Sequence, residues 1–286
     1  MSAAILHLVA ITLVFVASCK GPDVARTSLR VRSDPAVAMP IAQHCGADEA
    51  FVPKSVRIVS SDVAENGVET RQVIAAFCID RYEVTTEEYE KCERNQSCVA
   101  AVEQNVMVGS FWAMQCNSGR QGRAHHPINC VDWYQADAYC KWKEARLPTE
   151  WEWEHAARGD TRLFPWGDTP PRGEANLCNA ECSAMLRREN LYPSVAASSI
   201  DDGWLTTAPV GSFGRDVSPF GLFDTAGNVG EWTSSPDSGE GDEYAVMRGA
   251  GWWAQSPDFA RVNFSNPQPK RNSSSDRGFR CARDAK

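Results

Sequence analysis

Arg146-Leu147-Pro148-Thr149-Glu150-Trp151-Glu152-Trp153-Glu154-His155-Ala156-Ala157-Arg158-Gly159 is a helix written with both of its ends. Pro148 closes the preceding segment, Thr149 offers a side-chain oxygen to a free N–H of the first turn, and Glu152 reaches back to the cap. Gly159 stops it. Two more capping boxes stand upstream. Thr85-x-x-Glu88 carries Tyr89 and Cys92 towards Asn95, and Asp132-x-x-Gln135 is followed by Ala136, Tyr139, Cys140 and Lys143 at helical intervals, with Trp133 and Trp142 on neighbouring faces. Three short helices are predicted. Nearer the N-terminus, Ser55-Val56-Arg57-Ile58-Val59 lies in a partly alternating segment from Phe51 to Phe77 that is divided by Glu65-Asn66-Gly67, which predicts a β-hairpin. Beyond Gly159 the chain is dense in Gly, Pro, Asn, Ser and Asp and sustains no amphipathic period over three turns, so most of it is expected to be irregular.

A chain of 286 residues that is 43% hydrophobic can bury a substantial core, and no internal repeat or clean interior linker divides it. The formal net charge is -8, from 37 acidic and 29 basic residues with no long basic run, which argues against an electrostatic grip on nucleic acid. Metal cations are the more natural partners. Ten tryptophans against six tyrosines suit a loop-rich fold pinned by large rings.

The apolar stretch from Leu8 to Ala17, broken by Thr12, is short for a bilayer span and ends in Val16-Ala17-Ser18-Cys19. It reads as a signal peptide over residues 1–18. Small residues before a cysteine resemble the bacterial lipobox, in which the cysteine is acylated, so Cys19 is the expected lipid site; an ordinary cleaved secretory signal is the alternative. Lys20 directly after it points to the outer membrane of a bacterial envelope. Residues 19–44 are polar and proline-containing and read as a tether, leaving 45–286 as the domain.

Setting Cys19 aside, ten cysteines remain: Cys45, Cys78, Cys92, Cys98, Cys116, Cys130, Cys140, Cys178, Cys182 and Cys281. An even number in an exported chain implies up to five disulfides. A zinc reading of Cys178-x-x-x-Cys182 lacks a second close-spaced Cys or His pair. Spacing suggests Cys92–Cys98, Cys116–Cys130 and Cys178–Cys182.

Several stretches carry a family resemblance: His126-Pro127-Ile128-Asn129-Cys130-Val131-Asp132-Trp133, Ala138-Tyr139-Cys140-x-Trp142, Arg146 to Glu154, Phe164-Pro165-Trp166-Gly167, Gly221-Leu222-Phe223-Asp224-x-Ala226-Gly227-Asn228-Val229-x-Glu231-Trp232-Thr233, Arg248-Gly249-x-Gly251-Trp252 and Arg277-Gly278-Phe279-Arg280-Cys281. Together with Asp80-x-Tyr82-Glu83-Val84-Thr85 they resemble, in order, the formylglycine-generating enzyme family, also called the sulfatase-modifying-factor family. The resemblance implies an α+β fold of the C-type-lectin-like kind, a single compact domain with few regular elements, stapled by disulfides. It also implies a Cys140–Cys281 bridge, which leaves Cys45 and Cys78 for each other.

In catalytic members two cysteines bind copper(I) through soft thiolates and oxidise a substrate cysteine. The resemblance places those two ligands at Ala254 and Phe259, and a preceding serine at Gly251, so no copper is expected. It also implies two structural calcium ions. One would be held by Asn176, Leu177, Asp202 and Trp204, the other by Asp224, Gly227, Val229 and Glu231, where carboxylates and backbone carbonyls supply hard oxygen ligands. Asp224 and Glu231 as plain turn caps are the alternative. An iron-dependent branch of the same fold takes three histidines from an additional helical domain. His44, His125, His126 and His155 read instead as structural.

These readings favour a non-catalytic, envelope-anchored binding or scaffold lipoprotein whose partner is an envelope protein or a glycan. A ligand groove would be lined by Trp252, Trp253, Phe259 and Arg261, although at least one of the adjacent tryptophans belongs in the core. The competing reading is an oxidoreductase acting on a cysteine of a protein substrate through a copper-independent or relocated site. It rests on family membership alone.

Overall fold

A computed structural model describes residues 45–60, 69–101, 111, 113–159, 161–191, 201–237 and 241–285. The expected signal segment, Cys19, the tether and the Glu65-Asn66-Gly67 turn lie outside the described residues. The elements run β1 (Glu49–Val52), β2 (Ser55–Ser60), β3 (Glu69–Ile74), β4 (Phe77–Asp80), α1 (Thr86–Arg94), α2 (Trp133–Trp142), α3 (Glu150–Arg158), α4 (Ala180–Arg188), β5 (Gly230–Asp237), β6 (Gly241–Arg248), β7 (Ser265–Pro269), β8 (Arg277–Gly278) and β9 (Ala282–Asp284). Among the described residues, no helix is long and apolar enough to cross a membrane.

The three capping boxes form as the sequence predicts. The Thr85, Asp132 and Thr149 side chains accept from the backbone N–H of Glu88, Gln135 and Glu152 at 3.3, 2.8 and 3.2 Å, and each of those side chains accepts from its cap in return. Helix α3 ends at Gly159, whose φ of 72° is cheap only for glycine, and a Cβ there would lie 2.8 Å from Pro219 Cγ. Strands β2 and β3 pair antiparallel from Ser55 opposite Ile74 to Ser60 opposite Glu69, which is the expected hairpin.

The second half of the chain is more regular than its composition suggests. Helix α4 is capped by Asn179, whose Oδ1 accepts from Cys182 N at 2.8 Å, but Cys182 stands where a capping box needs Glu or Gln. Its buried stripe of Cys182, Met185 and Leu186 covers barely two turns. Strands β5 and β6 escape a period-two reading because they are buried on both faces: Gly230 to Thr233 are all buried, as are Ala245 to Arg248. The four-stranded sheet has the order β7-β6-β5-β8, with β8 parallel to β5, while β1, β4 and β9 form an antiparallel sheet that joins the two ends of the domain.

Among the described residues five disulfides are present: Cys45–Cys78, Cys92–Cys98, Cys116–Cys130, Cys140–Cys281 and Cys178–Cys182. The Cys140–Cys281 bridge closes a separation of 141 residues. In the chain-entropy account that stabilises by roughly 5 kcal/mol, against roughly 2 kcal/mol for the four-residue Cys178–Cys182 closure. Trp153, Trp232 and Trp252 are fully buried, and each indole N–H has an acceptor: Glu231 Oε2 at 2.7 Å, Val131 O at 3.0 Å and Ser275 O at 3.0 Å. Helix α3 is locked onto β6 by Arg248, 3% exposed, which pairs with Glu150 at 2.6 Å and Glu154 at 3.1 Å.

Candidate functional site

A groove of about 540 Å³ lies over the four-stranded sheet and draws on every strand of it. Its apolar wall is Met247, Ala250, Ala254, Phe259 and Phe264, with Ser265, Asn266 and Gln268 of β7 along the other side. Phe259 and Phe264 meet edge to face at 5.1 Å. Trp253 is fixed in the wall by its indole N–H, which donates to Asp276 Oδ2 at 2.5 Å. Of the sequence-predicted groove residues, Trp253 and Phe259 line this space, and Ala254 stands between them. Trp252 points the other way into the core, at 1% exposure. Arg261 is engaged with Asp258 at 2.9 Å and is not among the lining residues.

The sequence did not single out Asp276. It crowds Gly251, where a Cβ would lie 2.6 Å from Asp276 Cβ and 2.9 Å from its carbonyl oxygen. The family serine expected at that position has no room here. A tight turn, with Ala254 N donating to Gly251 O at 2.9 Å, shapes the wall. Trp252 N donates to Asn228 O and Cys178 N to Ala254 O, at 2.8 and 3.0 Å, so this wall hangs from the loop at 227–229 and from the start of α4.

The two sets of expected calcium residues lie against each other. Asn228 N donates to Asn176 O at 2.9 Å, and a Cβ on Gly227 would fall 2.2 Å from that same oxygen, so only glycine fits. In the first set Asp202 accepts from Leu177 N at 3.2 Å, Trp204 N at 3.0 Å and Asn179 Nδ2 at 2.7 Å. Burial raises its pKa above the usual carboxylate value. The Asn176 amide N–H donates to Thr206 O and Asn228 Oδ1 at 3.0 and 3.2 Å, while its buried Oδ1 receives no donor. Asn176 Oδ1 is a buried oxygen of the kind a hard cation takes, but Asp202 already accepts three bonds and the expected ligand Trp204 O accepts from Asn179 Nδ2 at 2.9 Å.

The second set is different in detail. Glu231 accepts three bonds of 2.7 Å: Trp153 Nε1 and Arg280 Nε on Oε2, Arg280 Nη2 on Oε1. Most of its lone-pair capacity is therefore used. Around it lie carboxylates that the sequence reading did not assign. Glu83 accepts from Val229 N at 3.1 Å and Asn228 Nδ2 at 2.7 Å, and Asp216 accepts from Ala226 N at 3.1 Å. Asp224 accepts from Gly211 N at 2.5 Å. Burial, followed by the charge of neighbouring carboxylates, raises Glu83 and Asp216 well above their usual values. Burial also lifts Asp224 to about 6. Four buried carboxylates share one buried guanidinium, but among the described residues no three of them bring a ligand oxygen within 4.8 Å of one another, so they form no ready-made cation cage. Glu83 and Arg280 stood inside recognised motifs, so the signal existed, whereas nothing local marks Asp216.

The chain is 33% identical over 184 residues to the mouse protein described as inactive C-alpha-formylglycine-generating enzyme 2, covering 62% of this chain and 56% of that protein. It is 37% identical over 197 residues to the formylglycine-generating enzyme of Streptomyces coelicolor, covering 62% and 59%. The chain thus spans little more than half the length of these curated relatives. Among solved structures, PvdO from Pseudomonas aeruginosa superposes with a TM-score of 0.60 at 22% identity, covering 82% of this chain and 94% of that one. Treponema denticola variable protein 1 gives 0.55 at 20%, with the same coverage. These two share the fold. With the profile of the sulfatase-modifying factor enzyme 1-like domain matching residues 42–285, the chain belongs to that family.

Proposed function

We propose that this protein is a non-catalytic member of its family: a ligand-binding or scaffold lipoprotein of the bacterial envelope, anchored through Cys19, that works through the groove over the four-stranded sheet. The observation that carries the reading is the groove wall itself. Ala254 and Phe259 occupy the positions where the resemblance puts the two copper thiolates, and neither side chain can ligate a metal. All ten cysteines of the described domain are held in disulfides, leaving no thiol pair to take over. Copper(I) needs such soft donors. A name such as "inactive C-alpha-formylglycine-generating enzyme 2" for one relative is compatible with the loss of chemistry on a retained scaffold.

In this reading calcium is structural. Asn176 and Asp202, with the carbonyls of Leu177 and Trp204, would hold one ion. Asp224 and Glu231, with the carbonyls of Gly227 and Val229, would hold a second. Bound calcium supplies fixed positive charge and stabilises the native state by mass action. Because Trp252 N bonds Asn228 O, order in that loop is transmitted to the groove wall.

The test is to load the purified protein with copper(I) and follow oxygen uptake with a cysteine-containing peptide. No stoichiometric copper and no turnover are expected; turnover with one bound copper overturns the reading in favour of an oxidoreductase.

A further inference from the structure

We infer that the groove over the four-stranded sheet takes an uncharged saccharide, its sugar rings packed on the aromatic wall and its hydroxyls read by a rail of amides along β7. The inference rests on the groove being a ligand site and names the chemical class of the ligand. The rail follows from strand alternation. Asn266 and Gln268 stand two apart on β7, so they share a face of the sheet with Met247, the β6 partner of Asn266, and all three line the groove. Their amides are joined end to end: Asn272 Nδ2 donates to Gln268 Oε1 at 3.3 Å, and Gln268 Nε2 donates to Asn266 Oδ1 at 2.8 Å. Each amide in the row is therefore turned the same way, and among the described residues no group accepts from Asn266 Nδ2. Its two N–H groups are the free end of the rail, presented in the groove.

The wall supplies the other half of the chemistry. Trp253, Phe259 and Phe264 are each half-buried and line the groove. A sugar ring has apolar C–H faces that pack on aromatic carbon and a rim of hydroxyls that donate and accept, as a side-chain amide does. Charge selects an uncharged one. The charged side chains in the lining are Asp276 and Arg277, and they offset each other: Arg277 Nε lies 3.9 Å from Asp276 Oδ1, and Asp276 Oδ2 is taken by the Trp253 indole. The sheet is also unsuited to holding an extended peptide as an added strand. Lys270, next after β7, donates its N–H to Glu243 O at 2.8 Å, so the even-numbered residues of this strand turn their N–H groups towards β6 and the odd-numbered ones face outwards. Those outward positions include Pro267 and Pro269, which have no N–H to give, and β8 at the opposite edge is two residues long.

The experiment applies the full-length protein, in a detergent without a sugar headgroup, to an array of uncharged glucans, mannans and N-acetylglucosamine oligomers, and measures the affinity of those retained by calorimetry and by tryptophan fluorescence. Saturable binding of at least one is expected. Asn266→Ala combined with Gln268→Ala should weaken it about tenfold with the melting curve unchanged. Asn266→Asp, nearly the same in shape but without the N–H pair, should weaken it about fivefold and keeps the test sharp if the double variant is less stable. No retained glycan, or binding that neither variant weakens, overturns the inference. A library of random heptapeptides tests the groove itself. Capture of a peptide that is lost in Phe259→Ala keeps the groove as a ligand site and removes the saccharide, whereas failure of both the array and the library removes the groove as well.

Discussion

Arg280 and Glu231 form a buried bidentate pair, Nε to Oε2 and Nη2 to Oε1 both at 2.7 Å, with side chains 0% and 1% exposed. The remaining N–H groups of the guanidinium donate to the carbonyls of Asp80, Arg81 and Phe223 at 3.2, 3.0 and 2.8 Å, so all five are used. One side chain thereby ties the end of β4, the loop before Asp224 and strand β5 together.

Removing one partner should be far worse than removing both. Arg280→Met leaves Glu231 buried beside Glu83 and Asp224 without its counter-charge, at an expected loss of about 3–5 kcal/mol. The double change Arg280→Met with Glu231→Gln should recover part of that. Urea midpoints of the two variants measure the difference; equal losses would count against a charge-based role.

Calcium should raise thermal stability and chelation should lower it. At free calcium one hundredfold above its dissociation constant the gain is about 2.7 kcal/mol per site. Asn176→Ala combined with Asp202→Asn should abolish one of two binding events in a calorimetric titration. A wild-type melting curve that is indifferent to calcium and to chelator would remove the ion from the account.

The two disulfides at the extremes of loop length predict an ordering. Replacing Cys140 and Cys281 together by alanine should cost roughly 5 kcal/mol in the chain-entropy account, and replacing Cys178 and Cys182 roughly 2 kcal/mol. Denaturant unfolding of both variants compares them, and a larger loss at the short bridge would show that local packing around Trp252 outweighs loop entropy.

Restoring the family serine should not be neutral. Gly251→Ser puts a Cβ against Asp276, in contact with main-chain as well as side-chain atoms, and is expected to cost about 1–3 kcal/mol through overpacking. By contrast, Ala254→Cys with Phe259→Cys places two thiols in the groove wall and should bind one equivalent of copper(I) under reducing conditions. Absorbance titration with a copper(I) chelator competitor checks this, and failure to bind would mean that the two positions do not face one another as the resemblance implies.

The sequence by itself determined the features that are local in their physics. Capping boxes at Thr85, Asp132 and Thr149 need only four consecutive residues, so helices α1 to α3 were legible, and the ordered motifs from Asp80 to Cys281 were specific enough to name the family. Strands β5 and β6 were not legible, because burial on both faces erases the alternation that marks a strand. Helix α4 was missed because a Cys fills the place of the reciprocal Glu or Gln. Only the tertiary structure decided which tryptophan faces the groove. Trp252 and Trp253 are adjacent and chemically equal, and the choice is made by acceptors far along the chain, Ser275 O for one and Asp276 Oδ2 for the other. It alone brought Asp216 and Glu83 to the same buried loop as Asp224, and it alone set the Cys178–Cys182 bridge against Ala254. Most of these relationships join residues tens to more than a hundred positions apart, and even the eight between Asp216 and Asp224 follow no regular period, so no local pattern encodes a distance that exists only after the chain has closed on itself.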